Sequence, residues 1–136
     1  MGIAWYSENV EKIYFPMTVN ILTKGHIRAL EILSNKGSVV VGLLTSSALK
    51  NYKEERMPYE DRLYILNVIA SVTGAQVVPQ ESIDPTENIR KYNCTAIASG
   101  DGWEGKELEA INKLGVTRID INSGCELHSS DLYENK

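Results

Sequence analysis

Residues 14–33, YFPMTVNILTKGHIRALEIL, decide the fold. Ile13, Tyr14 and Phe15 are strand formers, and with their neighbours they predict a first strand over residues 12–19. Pro16 inside that strand predicts an irregular or bulged end. A short loop, residues 21–24, leads to Gly25 and His26, where apolar periodicity begins. Ile27, Leu30, Ile32 and Leu33 form one stripe of a helix predicted over residues 25–35, with Arg28 and Glu31 toward water. Lys36-Gly37 closes it with a cation in the last turn and a glycine after it. A strand feeding a glycine-started helix gathers backbone N–H groups at the helix N-terminus. Those groups and the helix dipole favour an anion, most often a phosphate, which His26 is placed to touch. The alternative reading is a plain strand–turn–helix corner with a solvated histidine.

Working outward, residues 38–45, SVVVGLLT, are a continuous apolar run bounded by turn signals. Such a run marks a strand buried on both faces, as in a parallel sheet. Strand, helix and strand together make a βαβ unit. Ser46-Ser47 is a candidate cap for a short helix reaching Asn51. A charged stretch, KNYKEER, precedes a helix predicted over residues 60–72, whose buried stripe is Leu63, Leu66, Ile69 and Ala70. Residues 75–80 are a third strand, and Pro79 argues for a strand end or a sheet edge. Asp84-Pro85-Thr86 starts a short helix to Tyr92, with proline at the first helical position. Residues 95–99 and 116–122 read as the fourth and fifth strands around a helix over residues 105–114, and Ser129-Ser130-Asp131 is a candidate cap for a last short helix.

Strands alternating with helices specify an α/β fold: a Rossmann-like, doubly wound, five-stranded parallel sheet with helices on both faces, in a single domain over residues 1–136. Ligands of such sheets bind beyond the carboxyl ends of the strands, where the strand order reverses. The loops expected there are residues 19–24, 45–56, 100–106 and 122–130. Composition narrows the classes: 43% hydrophobic, 24% charged and a net charge of −4 describe an ordinary soluble chain and argue against a general nucleic-acid coat. The longest apolar run is too short for a bilayer, and the start lacks a signal-peptide pattern, so no membrane partner and a cytoplasmic location are expected. Cys94 and Cys125 read as reduced thiols, Cys94 close to buried. Cys125 and His128 alone are a weak metal signal, so no protein-held metal is expected.

These landmarks resemble the small cytidylyltransferases of the HxGH nucleotidyltransferase superfamily, in particular glycerol-3-phosphate cytidylyltransferases and the cytidylyltransferase domains attached to phosphoenolpyruvate mutases. The resemblance rests on FPMTVNILTKGH, VGLLTSSAL, MPYEDRLYIL, SGDGWEGK and LHSSDL in that order, and covers nearly the whole chain after Lys12. It implies transfer of CMP from CTP to a small phosphate or phosphonate, with pyrophosphate leaving and magnesium on the triphosphate. By the resemblance, His26 is the second histidine of the motif and Gly25 lets the backbone approach closely. Thr18 meets the nucleotide at the end of the first strand. Arg62 lines the site, the alternative being an exposed helix arginine. Lys50 and Lys53 fall where phosphates are held, the alternative being plain surface lysines, Asp101 would read the cytosine amino group, and Trp103 shapes the base pocket or simply packs. Ser129 and Ser130 would meet phosphate at the last helix. The resemblance also implies a homodimer, for which Trp5, Tyr6 and residues 52–59 are the candidate contacts.

The departures are equally specific. Thr23 stands where the resemblance expects the first histidine of the motif, and Asn20 where it expects an aspartate. Gly102 replaces the second aspartate of GDDW. Ser123, Glu126 and His128 replace the arginine, glycine and first serine of the late motif. Lys24 and His128 are the candidate compensating cations, and Thr23, Lys24 and His26 the candidate catalytic group. Two functions follow: an active cytidylyltransferase, or a catalytically weakened or inactive nucleotide-binding or interaction relative.

Overall fold

The computed structural model of the chain describes residues 11–20, 22–50, 52–99 and 105–121, the side chains of residues 105–107 excepted. Five strands, β1 (Glu11–Met17), β2 (Gly37–Leu44), β3 (Gln76–Gln80), β4 (Ala96–Ser99) and β5 (Thr117–Asp120), form one sheet in the order β3-β2-β1-β4-β5. Every pairing in it is parallel. The helices are α1 (Lys24–Ser34), α2 (Ser46–Leu49), α3 (Tyr59–Thr73), α4 (Thr86–Lys91) and α5 (Gly105–Leu114). Among the described residues, no helix is long and apolar enough to cross a membrane.

The two-residue period of β1 sorts the core into two layers. Ile13, Phe15 and Met17 join Val39, Val41 and Leu43 of β2 against Ala29, Leu30 and Leu33 of α1 and Leu66 of α3. Tyr14 points the other way, into a second cluster with Val40, Ile97, Ile89 of α4 and Ala110 of α5. Helices on both faces explain why β2 reads as an unbroken apolar run, since neither of its faces meets water.

Several local expectations are corrected. The pairing of β1 with β2 runs through Pro16 without a bulge. Pairing of β1 with β4 stops at Tyr14, ahead of the residue that has no N–H to offer. The first strand ends at Met17 because Val19 is left-handed, with φ 59°. Thr45, rather than the serines, caps α2: its Oγ1 accepts the Ala48 N–H at 3.2 Å. Pro85 is the N-cap of α4 and not its first helical residue, and the Asp84 carboxylate accepts the Thr86 N–H at 2.9 Å. The stripe of α3 includes Arg62, fully buried, beside Leu66 and Ala70. Pro79 does lie on an edge strand, as its missing donor requires.

Candidate active site

The chain crosses from β3 on one side of β1 to β4 on the other, so the strand order reverses between β1 and β4. That reversal opens a crevice beyond the carboxyl ends of the two strands. The segment that follows β1 leaves from this end of the sheet and leads into α1.

Thr23 ends the loop as the N-cap of α1, in extended conformation and only 8% exposed. Its carbonyl accepts the His26 N–H at 3.0 Å, which starts the helix. The His26 ring turns back over this first turn: Nδ1 accepts the Thr23 N–H at 3.0 Å, and Thr23 Oγ1 lies 3.3 Å from the same nitrogen. A neutral imidazole that accepts at Nδ1 carries its proton on Nε2. Thr23 therefore does structural service at the position of the motif's first histidine. It sets both the start of α1 and the tautomer of His26. Gly25 is buried in the same turn, and Lys24 is exposed.

Thr18, Val19 and Asn20 follow β1 directly. A β-branched residue at φ 59° is an unfavourable backbone state, held here by a fully packed Val19 side chain and by the anchoring of the next residue. Asn20 Nδ2 donates to the Glu54 carbonyl at 2.7 Å, and its Oδ1 accepts the Arg56 N–H at 3.0 Å. One carboxamide thus staples the strap between α2 and α3, residues 52–58, to the end of β1. An aspartate would supply the acceptor and not the donor, which accounts for asparagine at this position.

Arg62 is not an exposed helix arginine. It has no solvent exposure. Nε donates to the Met57 carbonyl at 2.9 Å, and Nη1 donates to the Thr18 carbonyl at 3.0 Å and the Leu44 carbonyl at 2.6 Å. Nη2 donates to Glu55 Oε2 at 2.7 Å. The same oxygen accepts the Ser46 hydroxyl at 2.7 Å. Ser46 first and Arg62 second hold the Glu55 carboxyl below its ordinary pKa. One guanidinium therefore joins the carboxyl ends of β1 and β2 to the strap, at the position where the resemblance expects a residue lining the site. The Tyr59 ring lies under the guanidinium, 5.4 Å from its centre.

Of the other candidates, Lys50 and Lys53 are exposed, with the Lys53 ammonium 5.4 Å from the Tyr52 ring centre. Asp101, Trp103, Ser129 and Ser130 lie outside the described residues, as do Trp5, Tyr6, Gly102, Ser123, Cys125, Glu126, His128 and the last expected helix. Cys94 is buried, and desolvation pushes its thiol up to about 11, so it is no nucleophile. Among the described residues, no three His, Cys, Asp or Glu side chains converge to hold a metal ion. The oxygen of Asn20, at the position of the expected carboxylate, is already an acceptor for Arg56. Asn20 therefore offers no carboxylate to a magnesium ion.

Sequence reasoning missed Glu55 and read Ser46 only as a candidate cap. The only signal for Glu55 was its place in the charged stretch KNYKEER, which reads as surface charge. It also missed the buried network in the opposite layer. The Tyr14 hydroxyl donates to Gln80 Oε1 at 2.6 Å and accepts from Asn88 Nδ2 at 2.8 Å. Gly42 makes room for it, because a Cβ there would strike the Tyr14 hydroxyl and the Gln80 oxygen.

Comparison with known proteins agrees with the fold. The chain is similar in structure to the lipopolysaccharide core biosynthesis protein from Thermoplasma volcanium GSS1, with a TM-score of 0.64 at 22% identity, over 82% of this chain and 94% of that one. It is similar also to the universal stress protein from Archaeoglobus fulgidus, with a TM-score of 0.53 at 12% identity, over 85% and 97% of the two chains. At these identities the likeness is one of fold. No curated protein matches the chain by sequence. The model of the cytidylyltransferase-like family matches residues 14–114, from the central strand through the described helices, and the chain belongs to that family.

Proposed function

We propose that the crevice binds CTP and transfers its CMP moiety to a small phosphate or phosphonate. An oxygen of the acceptor attacks the α-phosphorus and forms a new P–O bond. The bond from that phosphorus to the β-phosphate oxygen breaks, and pyrophosphate leaves with the electron pair. The observation that carries this reading is the His26 ring folded over the first turn of α1 beside the sheet's reversal point. Its Nδ1 is occupied by the Thr23 N–H, so Nε2 is the proton-bearing nitrogen. A neutral, preoriented N–H at a helix N-terminus suits developing negative charge on a phosphoryl oxygen. Thr18, Gly25, Lys50, Lys53, Asp101, Trp103, Ser129 and Ser130 are the proposed nucleotide contacts. Magnesium enters only as a counter-ion arriving with the triphosphate. A cytoplasmic location and a homodimer complete the reading; sedimentation at micromolar concentration tests the dimer.

A second reading, a nucleotide-binding relative with little or no turnover, is favoured by Thr23 and Asn20. Both are committed to structural hydrogen bonds where the resemblance expects a histidine and a carboxylate.

Calorimetric titration with CTP and magnesium, against ATP, GTP and UTP, decides between them when followed by pyrophosphate release with phosphate and phosphonate acceptors. Selective CTP binding with release supports the transferase, and His26→Ala should then lower turnover by about 10²–10³-fold, the scale for loss of one oxyanion donor. Selective binding without release supports the second reading. No nucleotide binding would sink both.

A further inference from the structure

Glu55 sits where a ligand would be expected. One of its oxygens receives two donors that converge from separate elements, Arg62 Nη2 of α3 and Ser46 Oγ of α2, each at 2.7 Å. The arginine is fully buried, whereas the Glu55 side chain is 28% exposed and approaches from the solvent side. Glu55 belongs to the strap, outside any helix or strand. Asn20 holds the backbone on both sides of it, at the Glu54 carbonyl and the Arg56 N–H. The carboxylate can therefore rotate out while the strap stays in place. The guanidinium cannot follow, because its Nε and Nη1 are held by three backbone carbonyls.

We propose that Glu55 is an intramolecular occupant of an anion subsite formed by Arg62 and Ser46, and that the phosphate or phosphonate group of a ligand binds there by displacing it. The exchange must be anion for anion, because a buried guanidinium left without a counter-charge is strongly unfavourable. A phosphate monoester or phosphonate meets that requirement. It brings three oxygens and up to two charges against the single charge of the carboxylate, and guanidinium–phosphate pairs are strong. Ser46 supplies the second donor to the same group. The subsite lies at the carboxyl end of β2, since Arg62 also holds the Leu44 carbonyl, so it suits the acceptor's anionic group rather than the base of a nucleotide. It is a self-occupied site, and Glu55 raises its threshold for anions. The proposal rests on the reading of the crevice as a phosphoryl-transfer site.

The test is calorimetric titration of the full chain, as wild type and as Glu55→Gln, with inorganic phosphate and with methylphosphonate. Glutamine keeps an oxygen acceptor for both donors but not the charge, and should tighten binding of both probes at least about tenfold by removing a like-charged competitor. Adding Ser46→Ala to Glu55→Gln should reverse most of that gain. Glu54→Gln is the control: it removes the same charge from a neighbouring strap position whose side chain is 77% exposed, and should change phosphate affinity less than twofold. Equal effects of the two glutamine variants, or no gain in Glu55→Gln, would overturn the proposal. If the Glu55 variant folds poorly, a second measurement takes its place. Phosphate added to the wild type should shift the guanidinium resonances of Arg62, and unshifted resonances at saturation would overturn the proposal equally. CTP binding without any Glu55 effect would leave the transferase reading standing and remove the subsite. A Glu55 effect without CTP binding would do the reverse.

Discussion

Arg62 ties the ends of β1 and β2 to the strap with four hydrogen bonds. Its guanidinium satisfies the carbonyls of Thr18, Leu44 and Met57 and the carboxylate of Glu55, with no contact with water. Arg62→Met keeps the apolar stem but leaves buried carbonyls without donors. It should cost about 3 kcal/mol, read as a lowered urea midpoint, because unsatisfied buried polar groups cost about 1–3 kcal/mol each. Tyr14 is the counterpart in the other layer. Tyr14→Phe strands the buried Gln80 Oε1 and leaves Asn88 Nδ2 with the Pro79 carbonyl alone, and a loss of about 1–2 kcal/mol is expected in the same assay. Desolvation pushes the Tyr14 phenol above its ordinary pKa, so the hydroxyl stays protonated as a donor to Gln80 at neutral pH. Neither residue was legible at this level in the sequence. The resemblance marked Arg62 as a residue lining the site and not as a buried anchor, Tyr14 reads as an ordinary strand residue, and only burial and their hydrogen-bond partners define what the two do.

At the scale of elements, the decisive feature is how the strap is fastened. Residues 52–58 have no regular structure, yet they are held by Asn20 through their backbone and by Arg62 through Glu55 and the Met57 carbonyl. Asn20→Asp replaces the amide donor with a carboxylate facing the Glu54 carbonyl. It should speed hydrogen exchange at the Arg56 amide and tryptic cleavage after Lys53 and Arg56, with little change across the core strands. Unchanged exchange at Arg56 would show that the strap is held by Glu55 and Met57 alone. Helix α1 teaches a related lesson. Its start was readable from Gly25, His26 and the apolar stripe, because periodicity is local. The role of Thr23 was not, because a capping threonine and a motif position look alike until the His26 ring is seen to fold back on the Thr23 N–H.

For the whole molecule, acid stability follows from the same cluster. Ser46 and Arg62 depress the Glu55 carboxyl below its ordinary value, so its folded pKa lies under its unfolded one. The stabilisation is complete above the unfolded carboxylate range, near about pH 4.3, and is lost as pH falls through the lower folded pKa. Urea midpoints taken from neutrality into acid should show wild type more stable than Glu55→Gln at pH 6, with the gap closing as the carboxylate protonates. A gap that persists in acid would assign the effect to packing rather than charge.

The sequence by itself determined the doubly wound parallel sheet and the order of its elements. Those properties follow from local periodicity: β2 is apolar throughout and α1 has a stripe, though α1 stops at its C-cap Asn35 and the expected stop residue, Gly37, opens β2 instead. The sequence also carried the family, because its motifs stand in order along the chain. The tertiary structure alone decided which polar residues are partners. Asn20 meets a strap more than thirty residues away, at Glu54 and Arg56, and Arg62 meets Thr18 across forty-four. Pairings at that separation leave no periodic trace, since they arise from burial of charge and of backbone carbonyls at the ends of strands that the fold has first brought together.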